Sequence, residues 1–128
     1  MGKYSKNKGR GKSQSFVMLR FDMMDSLAWR SLSPNARCVW LEIVRRYNGF
    51  NNGDIPLSCR EAAELCNISK STAGRAFQEL QDMGFIKIGQ YAGFKNKHRV
   101  STRWEMTHER CDDRMPSNEW KAWGQKSF

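Results

Sequence analysis

The sequence lacks any long run of apolar residues. Its longest apolar stretches span only a few residues, well short of the roughly 20 that a transmembrane helix needs. The basic N-terminus leads into Gly, Ser, Asn and Gln instead of an apolar segment, which is not the pattern of a secretory signal peptide. The sequence therefore predicts no membrane association, and we expect a cytoplasmic protein.

Cysteine and histidine are scarce and scattered. The four cysteines form no C-x-x-C pair, which argues against a disulfide framework or a zinc knuckle and favours reduced thiols. The combination nearest to a metal site, His108 with Cys111, lacks the spacing of metal ligands. Neither histidine accompanies a nucleophile, and no phosphate-binding loop or G-x-G-x-x-G motif occurs. The sequence thus predicts no metal, no cofactor and no enzymatic activity.

Acidic residues are outnumbered. The chain has 13 Asp and Glu against 22 Lys and Arg, a formal net charge of +9 that favours a polyanionic partner. Residues 21–57 and 108–128 are each balanced, with four positive and four negative side chains. The excess lies in residues 1–20, with six positive and no negative side chains, and in residues 58–107, with eight positive and five negative. Such clustering is typical of a protein that binds nucleic acid.

The first 14 residues combine Gly, Ser, Asn and Lys with one aromatic residue. This composition cannot bury enough surface to offset the entropy of ordering, so we expect a flexible basic arm. Lys8, Arg10 and Lys12 would then add DNA affinity through counterion release. A solvated extension without any DNA contact is the alternative.

The next segments alternate apolar stretches with turn signals. Residues 15–32 predict a short extended piece followed by about two helical turns that cover the core. Ser33 and Pro34 predict the start of a helix that continues, with apolar residues at helical spacing, to about Tyr47. After a turn rich in Gly and Asn, residues 55–57 read as a short edge strand around a proline.

Two further helices follow at close spacing. Ser58 and Glu61 form an S-x-x-E capping box, which predicts a short helix over residues 59–66. Asn67 suits a tight left-handed turn, and Ser69 caps a third helix that covers residues 70–83. Two capped helices separated by so few residues are typical of a helix-turn-helix, whose second helix reads DNA.

This third helix has two distinct faces. The inward residues are Ala73, Ala76, Phe77 and Leu80. The residues expected to contact DNA are Lys70, Ser71, Thr72, Arg75 and Gln78, together with Ser58 and Arg60 at the start of the preceding helix. Arg can bind guanine and Gln adenine, whereas an ordinary solvated helix face is the alternative. Gly74 indicates either that DNA or another helix comes near, or that an unfavourable residue is tolerated.

The C-terminal third predicts a hairpin. A strand at residues 85–88, a polar turn, and a period-two run from Val100 to Met106 indicate two strands joined by a basic loop at residues 91–99. The loop residues expected to reach phosphates or the minor groove are Lys95, Lys97, His98 and Arg99; the alternative is a solubilising hairpin. Trp120 and Trp123 stand in a polar segment and predict packing onto the domain or a dimer contact.

Three sequence runs carry a resemblance to known proteins: AWRSLSPNAR, RRYNGFNNGDIPLSCREAAELCNISKSTAGRAFQELQDMGFI and RVSTRWEMTHERCD. Together they resemble small proteobacterial helix-turn-helix proteins of chromosomes, phages and other mobile elements, related to winged-helix replication initiators and transcription regulators. The resemblance covers about residues 16–123 and implies a DNA-binding winged helix. It implies that residues 70–75 begin the recognition helix and that residues 95–99 lie on the wing, but the basic arm is not part of the shared pattern.

The sequence as a whole predicts an α+β fold that is mainly α. We expect a winged helix-turn-helix domain at residues 15–107, with three core helices and a C-terminal β-hairpin wing, followed by a partly ordered extension at 108–128. The expected function is sequence-specific binding of double-stranded DNA by a nucleoid-associated transcriptional regulator, as a homodimer or a cooperative assembly. The alternatives are a replication initiator, a non-specific architectural or RNA-binding protein, and a protein-interaction adaptor that uses its tryptophans.

Overall fold

The computed structural model describes residues 14–89, 93–95, 98–100 and 102–125, without side-chain surroundings at 93–95 and 98–100. An irregular stretch at residues 14–20, extended at Arg20, leads into two short helices, α1 (Phe21–Met24) and α2 (Leu27–Ser31). The long helix α3 (Pro34–Arg45) follows, and the Ser33 hydroxyl accepts the Ala36 N–H at its start as expected. It ends two residues before the predicted Tyr47, because Arg46 and Tyr47 donate to carbonyls only three residues back.

The two helices after α3 confirm the helix-turn-helix prediction. Helix α4 (Cys59–Cys66) begins with both hydrogen bonds of the predicted capping box, and Asn67 takes the left-handed conformation at φ 58°. Helix α5 (Lys70–Asp82) begins where Ser69 accepts the Thr72 N–H, and it ends one residue before the predicted boundary. Local capping interactions therefore set the start of both helices.

Antiparallel strands complete the fold. Strands β1 (Ile55–Pro56), β2 (Ile86–Ile88) and β5 (Arg103–Met106) form a sheet in the order β1-β5-β2. Strands β3 (Gly93–Lys95) and β4 (His98–Val100) pair with each other. The prediction of one strand from Val100 to Met106 is therefore wrong. The pairing of β3 with β4 is displaced by one residue from that of β2 with β5, so the two pairs are separate ladders.

Strand β5 also departs from the predicted alternation of buried and exposed residues. Trp104 and Met106 are buried as expected, but Glu105 between them is only 8% exposed. The Arg114 guanidinium donates to the Glu105 carboxylate over 3.1 Å and so covers the face that was expected to meet solvent. Burial on this side of β5 depends on a residue of the C-terminal extension.

Aromatic side chains dominate the core. Trp40 of α3 is fully buried and meets Trp29 edge-on at 5.2 Å between ring centroids, while Phe77 of α5 stacks on Trp104 of β5 at 4.7 Å. Trp120, in a 3₁₀ turn at Glu119–Ala122, is 2% exposed and stacks on Phe85 at 6.2 Å. The C-terminal extension therefore packs onto the domain, and Trp120 cannot serve as the contact surface of an adaptor.

The segment before α3 covers the core only in part. Ala28 and Trp29 are buried as expected, but Phe16 and Phe21 are 80% and 81% exposed. The prediction that residues 15–32 cover the core therefore holds only in part: Phe16 and Phe21 lie outside it, and the segment around residue 16 runs beside Val44 and Tyr47 at the C-terminal end of α3. An exposed apolar surface remains there.

Candidate nucleic-acid interface

Helix α5 presents a polar face to solvent. Its inward residues Ala73, Ala76, Phe77 and Leu80 are between 0% and 3% exposed, which confirms the predicted buried stripe. On the other side the exposed residues are Lys70, Ser71, Arg75 and Gln78, with Thr72 half-buried beside them. All five proposed contacts of this helix thus lie outside the core, on about two and a half turns of one helix.

Hydroxyl groups organise the first turn of α5. Ser69 Oγ accepts the Thr72 N–H over 3.1 Å and donates to Thr72 Oγ1 over 2.8 Å. Thr72 Oγ1 in turn accepts from Arg75 Nη2 over 3.1 Å. The hydrogen bond to a neutral hydroxyl orients the Arg75 guanidinium without neutralising its positive charge. Because a guanidinium carries five N–H donors, most of them stay available to a ligand.

The outer end of the same face is less open. Gln78 Nε2 donates to Asp82 Oδ1 over 2.9 Å, so the amide points along the helix toward its C-terminus. Gln78 would have to leave Asp82 before its amide could pair with a base. Lys70, Ser71 and Arg75 are therefore more open to a ligand than Gln78.

The start of α4 contributes two more predicted contacts with different surroundings. Arg60 is exposed, whereas Ser58 is half-buried and forms the capping box with Glu61 through its hydroxyl and its backbone N–H. That N–H, helped by Arg46 at 3.6 Å, lowers the pKa of the Glu61 carboxyl. Ser58 thus holds the start of α4 in place, and Arg60 is the freer of these two predicted contacts.

The basic hairpin is described only through its backbone. Lys95 pairs with His98, and Phe94 pairs with Arg99, in the register of β3 and β4. Lys97 lies outside the described residues, as do Lys8, Arg10 and Lys12 of the predicted arm. The structure therefore brings Lys95, His98 and Arg99 onto one hairpin without describing the surroundings of their side chains.

Gly74 lies where α5 crosses α4. A Cβ atom at this position would meet Cys59 Sγ at 3.9 Å, which is ordinary van der Waals contact. The sequence suggested that either DNA or another helix comes near Gly74, and the structure shows that a helix, α4, lies there. The space would accept a methyl group, so packing does not require glycine at this position.

One interaction next to the polar face could not be predicted from the sequence. The Glu79 carboxylate accepts the Ser33 N–H over 2.7 Å and the Ser33 hydroxyl over 2.8 Å, and so ties α5 to the start of α3. Glu79 and Ser33 line a cavity of about 310 Å³ together with Thr72 and Arg75. The two partners are 46 residues apart, and no local pattern connects them.

Comparison with known proteins supports the helix-turn-helix. The sequence profile of a family described as a helix-turn-helix domain matches residues 30–86, a range that contains α3, α4 and α5. No curated protein and no solved structure matches the chain. Within the described residues, no helix is long and apolar enough to cross a membrane, and no three His, Cys, Asp or Glu side chains group as metal ligands would. The match supports a small protein whose helix-turn-helix has DNA as its partner.

Proposed function

We propose that this protein binds double-stranded DNA in a sequence-specific manner, reads the major groove with α5, and acts as a transcriptional regulator. The observation that carries the proposal is the position of Arg75, exposed on α5 and oriented by Thr72, on a helix whose opposite face is buried. A recognition helix needs this combination of a fixed inner face and free polar groups on its first turns.

The proposed contacts divide by chemistry. Arg75 would bind a guanine edge through two parallel hydrogen bonds, because the guanidinium fork matches the O6 and N7 acceptors. Lys70, Ser71 and Thr72 at the start of α5, and Ser58 and Arg60 at the start of α4, would bind phosphates and fix the register of the helix on the duplex. Gln78 would read a base only after leaving Asp82.

We further propose that β2 to β5 form the wing of a winged helix. The order β1-β5-β2, with the β3–β4 pair inserted between β2 and β5 in the chain, supports this arrangement. Lys95, Lys97, His98 and Arg99 of the wing, and Lys8, Arg10 and Lys12 of the arm, would then contact phosphates or the minor groove.

Two copies would act on one site in this proposal. A single recognition helix reads only a few base pairs, and a pair of helices reads two half-sites about one helical turn apart. The measurement is the protein-to-DNA stoichiometry on a selected site, by analytical ultracentrifugation. Two chains per duplex and a site with paired half-sites are expected, and one chain on a single short motif would rule out this part of the proposal.

Selection from a random duplex library at two salt concentrations tests the function itself. We expect an enriched motif at both concentrations, with tighter binding at the lower one. Binding that falls steeply with salt and enriches no motif would point instead to an architectural or RNA-binding protein. Genome-wide mapping of bound sites then separates roles: sites at promoters support a regulator, whereas a single cluster at a replication origin would indicate an initiator.

A further inference from the structure

We infer that the two hydrogen bonds from Ser33 hold the Glu79 carboxylate away from Arg75. The positive charge of Arg75 then stays available to DNA, and Glu79 acts as a positioning residue for recognition. This inference rests on the proposed reading of DNA by α5. It concerns the Glu79 carboxylate, which accepts two hydrogen bonds from Ser33, the N-cap residue of α3.

Glu79 and Arg75 are separated by one helical turn. Residues at positions i and i+4 of a helix have Cβ atoms about 5–6 Å apart, so an arginine and a glutamate at this spacing can form an ion pair. Both side chains line the same cavity between α3 and α5. Even so, among the described residues Arg75 makes no ion pair within 4.0 Å.

The partners that each side chain has instead explain the separation. The Glu79 carboxylate is turned toward α3, where the Ser33 N–H and hydroxyl bind one oxygen each. The Arg75 guanidinium is turned the other way along the helix, onto Thr72 Oγ1 at 3.1 Å. Ser33 therefore competes with Arg75 for the same carboxylate. If Ser33 lost its two donors, the carboxylate would turn to Arg75 and neutralise a cation that DNA binding needs.

Substitution Ser33→Pro removes both donors with little backbone strain. Ser33 has φ −67°, the angle that proline fixes, and Leu32 before it is extended at φ −66° and ψ 142°, as a residue preceding proline must be. We expect the affinity of S33P for a selected DNA site to fall by roughly tenfold. The preference at the base position that Arg75 reads should weaken as well, because a guanidinium paired with Glu79 no longer offers its fork to guanine.

The second substitution separates charge release from simple loss of stability. In S33P/E79Q the released side chain is neutral, so we expect affinity within about threefold of the wild type and recovery of the base preference. Ser26→Ala serves as the control for loss of an N-cap, because Ser26 caps Trp29 at the start of α2 without a carboxylate partner. All variants are measured under conditions in which more than about 95% of the protein is folded. Substitution S33A removes only the hydroxyl donor, and we expect it to lower DNA affinity by about threefold.

The outcomes distinguish this inference from the proposed function. If S33P binds as the wild type does, or if E79Q fails to rescue it, the bond has only a structural role and the inference is overturned. The free protein provides a readout without DNA: the Arg75 Nε–Hε NMR resonance should shift in S33P and return in S33P/E79Q. If this shift is observed but Arg75→Ala leaves DNA binding unchanged, the proposed function is overturned. The exchange of the Glu79 carboxylate from Ser33 to Arg75 would still stand.

Discussion

Protonation of His108 should destabilise the fold in a defined pH range. The His108 side chain is 8% exposed and lies 5.4 Å from the Trp40 ring, and its Nδ1 has no hydrogen-bond partner among the described residues. Burial, together with the positive charge of Arg20, lowers the pKa of His108 from 6.5 to about 4. The folded protein thus holds this imidazole neutral at pH values where the unfolded chain already binds a proton.

The sign of the effect follows from this difference. Between pH 6.5 and about 4 the unfolded chain carries more protons on His108, so the free energy of unfolding decreases as the pH decreases. Each unit of pKa difference corresponds to about 1.4 kcal/mol, which makes the full effect about 3 kcal/mol. Glu109, 3.7 Å from Nε2, would recover a part of this when the ring is charged. The destabilisation is absent above pH 6.5 and reaches its full size as the pH falls to about 4.

Urea unfolding at several pH values between 7.5 and 4.5 measures the effect, with His108→Gln as the control. Carboxylates also titrate toward the acidic end, so the informative quantity is the difference in pH dependence between the two proteins. The wild type should lose about 2 kcal/mol more than His108→Gln from pH 7.5 to pH 4.5. Parallel curves would show that His108 is not held neutral by its surroundings.

Three other substitutions or deletions test separate parts of the structure. Gly74→Ala should stabilise the protein by about 0.5–1 kcal/mol in urea unfolding without changing DNA affinity, because the helix gains propensity and the methyl group has room; a large loss of affinity would show that DNA approaches this backbone. Trp120→Ala should cost about 3–5 kcal/mol, since the ring is 2% exposed on Phe85, and a change below about 1 kcal/mol would contradict its place in the core. Removal of residues 1–14 should weaken binding to every duplex equally and flatten the salt dependence, whereas a changed motif would make the arm a sequence reader.

The helices were predictable from sequence because their determinants are local. Ser33, Ser58 and Ser69 each accept an N–H three residues later, and Asn67 adopts the left-handed turn that its short polar side chain tolerates. The two faces of α5 also follow from spacing along one helix. Such interactions span a few residues, so the pattern in the sequence contains the whole signal.

Features that depend on distant partners were not predictable. The burial of Glu105 requires Arg114 from the extension, and the division of the last strands depends on how the two ladders are paired. Gly84 shows the same dependence on distant residues: a Cβ there would come within 2.7 Å of the Glu119 carbonyl carbon. In the site, Glu79 was missed because its partner Ser33 stands 46 residues earlier, at the start of another helix. The sequence indicates which residues are polar, but not which of them pair across the fold.

Binding of Arg75→Ala to the selected site and to its single-base variants tests the central proposal most directly. Arg45→Ala is the matched control, because Arg45 is an exposed arginine at the end of α3 that lies about 18 Å from Ser33. Arg75→Ala should weaken binding to the selected site by about 1–3 kcal/mol and remove the preference at one base position, while Arg45→Ala leaves both unchanged. An equal loss on every duplex, or no loss at all, would contradict the reading of DNA by α5.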